Sequence, residues 1–141
     1  MIFLVAGLVL YFTLLLAIST VAIARGDAVA RRAAWTLVAG MAATQVAGFV
    51  GPRAPSPEYA VIVVDVALTA IYFRIAYRAK VFWPIWITAS QAVAVLTHFL
   101  IVLHPSTRVS VYDAAQPFWA FPILAGIAYG TWTSRRSPSS N

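Results

Sequence analysis

The chain contains no cysteine. Disulfide staples, thiolate metal sites, iron–sulfur clusters and cysteine nucleophiles are therefore excluded. Charge is also scarce: 10% of the residues are charged, against about 25% in an average soluble domain. With 62% of the chain hydrophobic, that deficit points away from an ordinary water-soluble fold. Only four residues are acidic, and of these only Asp65 falls within an apolar run. One chain thus cannot present the two facing carboxylates that intramembrane aspartyl chemistry requires. The sequence has no G-x-S-x-G, P-loop, G-x-G-x-x-G or H-E-x-x-H pattern. No enzyme class, cofactor or metal site is indicated.

What the chain does have is a set of long apolar stretches. Five can be drawn, over 2–24, 33–50, 59–77, 82–103 and 117–133, each near the ~20 residues that a helix needs to cross a bilayer. The expected fold is an all-α integral membrane bundle of five transmembrane helices in one domain over 1–133, with a disordered tail at 134–141. A four-span count is the alternative, because 33–50 and 117–133 are short. The first stretch ends in Ala22-Ile23-Ala24, which resembles a signal-peptide cleavage site. It carries no basic residue before Arg25 and its apolar core is too long for that role, so it is read as a retained helix.

The net charge is +6. Its distribution explains it better than nucleic acid does, since basic residues that flank spans set orientation. Arg25, Arg31, Arg32, Arg74, Arg78, Lys80, Arg135 and Arg136 fall on one side of a five-span arrangement, and only Arg53 and Arg108 on the other. The positive-inside rule then places the N-terminus outside and the C-terminus in the cytoplasm. Trp35, Trp83, Trp86 and Trp132 mark the inner boundary as an aromatic belt, and Tyr59, Phe118 and Trp119 the outer one. Pro84 fits the first turn of its helix, and Pro122, one turn into the last span, is placed to bend it.

Helices in lipid associate through small residues and close contact. The second span carries Gly40, Thr44 and Gly48 at four-residue spacing, beside Ala39, Ala43 and Ala47; this suggests a helix central to the bundle. The last span carries Gly126 and Gly130 as a GxxxG pair. Internal packing is the favoured reading of both; contact with a partner helix or a second copy is the other.

A carboxyl group at the centre of a span costs about 2.5–3.5 kcal/mol on insertion scales, so Asp65 needs a partner. Asp65, Thr69 and Tyr72 share one helix face, and Thr88, Gln91 and His98 share one on the next span. The short link Arg78-Ala-Lys80 makes these spans antiparallel. Asp65 and His98 then lie at one depth, about 8–9 Å below the outer boundary. The same register pairs Tyr72 with Gln91, and Gln45 completes the cluster from the second span. A carboxylate beside an imidazole can share a proton, as in a relay or a gated cation site; it can equally act as a clasp that fixes helix register. His104, next to Pro105, is read as a helix-end residue. Both histidines belong to one span, which prevents bis-histidine haem ligation within one chain.

The residues Asp65, Trp83-Pro84-Ile85-Trp86, Gln91, Thr97-His98 and the proline-bearing span from Phe118 to Gly130 resemble a group of small, uncharacterised bacterial multi-pass membrane proteins. The resemblance covers about half of the chain and implies no activity. Five spans are also a feature of the tryptophan-rich TspO/translocator family, but this chain lacks that family's tryptophan and proline run, so no residue role carries over. The function expected is that of an accessory, scaffold or assembly partner in the cell inner membrane. Its partners would be the lipid bilayer and other membrane proteins or a second copy, not nucleic acid. The alternative is a proton- or cation-linked transport element built on Asp65 and His98.

Overall fold

The computed structural model describes residues 2–50, 59–103 and 117–136. The proline-rich stretch 51–58, the polar stretch 104–116 with His104, and residues 137–141 lie outside the described residues. Five α-helices and no strand occur among those described: α1 (Ile2–Arg25), α2 (Ala28–Val50), α3 (Tyr59–Arg78), α4 (Trp83–Leu103) and α5 (Ala120–Arg136). A single 3-10 turn, Pro117–Trp119, leads into α5.

Consecutive helices pack side by side, and α5 closes the ring against α1. The contacts fix direction. Gly126 faces Ile87 and Gly130 faces Trp83, so α4 and α5 are antiparallel. Tyr11 meets Phe121 edge to face at 6.1 Å, and Val21 and Trp132 line one groove further along, so α1 and α5 run parallel. A ring of five alternating helices requires that parallel pair at its seam.

The helix ends differ from the sequence expectation where capping intervenes. α2 starts at Ala28, five residues before the expected 33, because the Asp27 carboxylate accepts the Ala30 N–H at 2.7 Å and supplies an N-cap. Val29 and Ala30 then join the core. α5 begins after the 3-10 turn, which leaves Pro122 within its first turn. The missing N–H is an orphan there, so proline costs the helix no hydrogen bond. At its other end α5 continues through Arg136, so residues 134–136 are helical and not part of a disordered tail.

The core is formed by Leu15, Ala22, Leu37, Tyr72, Trp83, Ile87, Leu124 and Ile127, among others. Glycines set the closest approaches. A Cβ on Gly126 would sit 2.5 Å from Ile87 Cγ2, and one on Gly130 would enter the Trp83 ring. The GxxxG pair of α5 therefore serves internal packing against α4. Gly40 packs in the same way on the end of Leu68 in α3. Trp83 is consequently a core residue, 6% exposed, and not the interfacial anchor expected from sequence; Trp35, Trp86 and Trp132 remain exposed. α2 is not the central helix. Trp35, Ala39, Ala42, Ala43, Val46 and Phe49 are exposed along it, Thr44 is half-buried, and Gly48 lies near its end.

The outer face of the bundle is apolar. Leu16, Phe49, Val63, Phe73, Phe99, Leu100 and Leu103 are exposed, whereas Ser19, Gln91, His98 and Thr131 are buried. Hydroxyls on the outer face turn back to their own helices: Thr13 Oγ1 donates to Val9 O at 2.7 Å and Ser90 Oγ to Trp86 O at 2.9 Å. Among the described residues, one helix, Tyr59–Arg78, is long and apolar enough to cross a membrane.

Candidate functional site: an interhelical carboxylate clasp

α3 and α4 are joined by only four residues, 79–82, and pack antiparallel along their lengths. Asp65 enters this interface six residues into α3; Gln91 and His98 enter it from α4, two turns apart on one face. His98 Nε2 donates to Asp65 Oδ2 at 2.8 Å. Gln91 Nε2 donates to Asp65 Oδ1 at 3.1 Å. Both carboxylate oxygens therefore have a donor from the neighbouring helix. The His98 side chain is 8% exposed and that of Asp65 14%. Thr69 Oγ1 donates to the Asp65 carbonyl at 2.8 Å, adding a bond inside the turn that carries the acid.

The expected contact of Asp65 with His98 is formed, and Gln91 joins it on the other carboxylate oxygen. Tyr72 is 1% exposed within the core, and its hydroxyl makes no hydrogen bond among the described residues. The expected Tyr72–Gln91 pair is thus not formed. A carboxylate is the stronger acceptor, and it takes the Gln91 amide.

Gln45 also stands apart. It is exposed on α2, and its amide donates to Met41 Sδ at 3.7 Å within the same helix. The seam between α2 and α3 is set by Gly40 on Leu68, which turns position 45 outward. No group of three or more His, Asp or Glu side chains able to hold a metal ion occurs among the described residues. A satisfied carboxylate with an imidazole and an amide can hold two helices in one register; the acid–imidazole contact can also carry a proton between two atoms.

Sequence reasoning overlooked two features. The inward turn of Trp83 is signalled by Gly130, the residue that makes room for it. The other is a groove at the α1–α5 seam, which requires knowing that the first and last helices meet. No protein-family model matches this chain, and no curated protein or solved structure matches it.

Proposed function

We propose that this protein is a five-span protein of the cell inner membrane, N-terminus outside and C-terminus in the cytoplasm. It acts as an accessory, scaffold or assembly partner through helix contacts. The observation that carries this reading is the closure of the polar site. Asp65 has both oxygens occupied by donors from α4, and the three side chains are largely buried. An apolar exterior enclosing the polar groups is the arrangement lipid favours, since lipid offers backbone and hydroxyl groups no water. The clasp then fixes α3 against α4, and the outward apolar faces remain for lipid and for other membrane proteins.

The competing reading, a proton- or cation-linked transport element, uses the same acid and imidazole. Proton flux into liposomes separates the two. The scaffold reading expects the same flux from the native protein and from Asp65→Asn, whose amide oxygen can still accept from one of the two donors. Flux that is present in the native protein and lost in the variant would establish transport instead. Extraction of membranes with alkaline carbonate tests the bilayer placement independently; the chain is expected to stay in the pellet.

A further inference from the structure

The seam between the parallel helices α1 and α5 holds a groove of about 240 Å³. Ala17, Ile18 and Val21 of α1 and Ala128 and Trp132 of α5 line it, and Arg135 stands at its inner end. Thr131 is also in the lining, but its hydroxyl donates to Ile127 O at 2.8 Å, so the wall it presents asks for no polar partner. The small side chains of Ala17 and Ala128 leave a channel where larger residues would close the seam.

Polarity changes abruptly along this groove. Beyond the apolar stretch the seam ends in guanidinium groups. Arg135 lines the groove, and Arg136 lies 3.8 Å over the Trp132 ring. Arg25 closes α1 one turn beyond Val21, on the line of Ala17 and Val21. None of the three forms an ion pair among the described residues. The nearby acid in sequence, Asp27, is engaged with the α2 N-terminus. An apolar channel that ends in uncompensated arginines matches an amphiphile with one hydrocarbon chain in the channel and a negative headgroup at its mouth.

We propose that this groove binds one anionic phospholipid of the cytoplasmic leaflet. An acyl chain lies between α1 and α5, and the phosphate is held by Arg135 with Arg25 and Arg136 around it. The inference rests on the bilayer placement given above. It deepens that placement by assigning the chain a defined lipid partner, and it gives the parallel seam, which no short loop closes, a ligand that bridges it.

The test uses the full chain purified in mild detergent. It is titrated with phosphatidylglycerol or with phosphatidylcholine of identical acyl chains, and retained lipid is counted by native mass spectrometry. Phosphatidylglycerol is expected to bind about fivefold more tightly for each engaged arginine, and Arg135→Gln should remove about that factor. Lys80→Gln, which removes a cation on the far link between α3 and α4, should leave the preference intact. Ala128→Leu, which fills the channel, should weaken both lipids. Equal retention of the two lipids by the native protein, or an unchanged preference in Arg135→Gln, overturns the proposal. So does equal competition by inorganic phosphate, since that would mean the channel contributes nothing. Release of the chain by alkaline carbonate would instead sink the bilayer placement, and it leaves this detergent measurement readable on its own.

Discussion

At the scale of single residues, three glycines meet three different neighbours, and that difference predicts a ranking. Gly130 faces the rigid ring of Trp83, Gly126 the Cγ2 methyl on the branched carbon of Ile87, and Gly40 the terminal methyls of Leu68. Replacement by alanine improves helix propensity by about 1 kcal/mol at each site. Overpacking a tight contact costs about 1–3 kcal/mol. Gly130→Ala should therefore be the most destabilising, because the ring cannot yield without leaving the core. Gly40→Ala should be close to neutral, because the leucine end can rotate away. Unfolding in detergent, followed by circular dichroism against denaturant, reads the order directly; a Gly40→Ala loss as large as that of Gly130→Ala would contradict it. The carboxylate clasp makes a second prediction. Asp65→Ala strands the Gln91 amide and the His98 imidazole and should cost about 1–3 kcal/mol, whereas Asp65→Asn should cost less. A double-mutant cycle of Asp65→Ala and His98→Ala should return a coupling of about 0.6–1.7 kcal/mol, the range found for interhelical bonds in bilayers. A coupling of zero would mean that the 2.8 Å contact contributes nothing to stability. The pairing of Asp65 with His98 was legible because helical spacing and a four-residue link confine the possible partners; the Gln91 amide, expected opposite Tyr72, was not placed on the acid. The place of Gln45 was not legible either. α2 is small-sided all round, so its composition carries no signal of which face turns inward.

At the scale of helices, ends were less legible than middles. The start of α2 illustrates why. An apolar count begins at Ala33, but the helix begins where Asp27 can cap it, and two arginines on its exposed side are carried within the first turns. Capping energy and burial of Ala30 outweigh the polarity of Arg31 and Arg32. Asp27→Ala should thus destabilise the bundle by about 0.5–2 kcal/mol, and Asp27→Asn or Asp27→Ser should restore most of the loss. Amide hydrogen exchange at Val29, Ala30 and Arg31 locates the effect; protection unchanged in Asp27→Ala would show that the cap contributes nothing. The tryptophan–proline–isoleucine–tryptophan run shows the same limit from another side. It reads as an interfacial anchor, yet one helical turn divides it between core and surface. Trp83 and Pro84 face inward, and Ile85 and Trp86 face outward. A motif read linearly hides that division; a partner glycine on another helix, forty-seven residues away in Gly130, decides it.

At the scale of the whole molecule, an odd number of helices in a closed ring has a topological consequence. The first and last helices must run in the same direction, so the start of α1 and the end of α5 lie at opposite ends of the bundle. A four-helix ring would place them together. Charge agrees with the odd count: Arg25, Arg31, Arg32, Arg74, Arg78, Lys80, Arg135 and Arg136 all lie at the end that holds the C-terminus of α5. Because the native chain has no cysteine, one introduced thiol reports its own position without background. Tyr59→Cys and Ser134→Cys place it at the two ends, on an exposed and a half-buried position. In sealed, right-side-out vesicles a membrane-impermeant maleimide should label Tyr59→Cys at once. Ser134→Cys should react only after the vesicles are opened. Equal reaction of both before opening would place the two ends on one side, which the ring cannot do with all five helices crossing. The reverse pattern would keep five crossings but invert them. Eight basic groups would then face outward, against the bias that attracts cations to the anionic cytoplasmic leaflet.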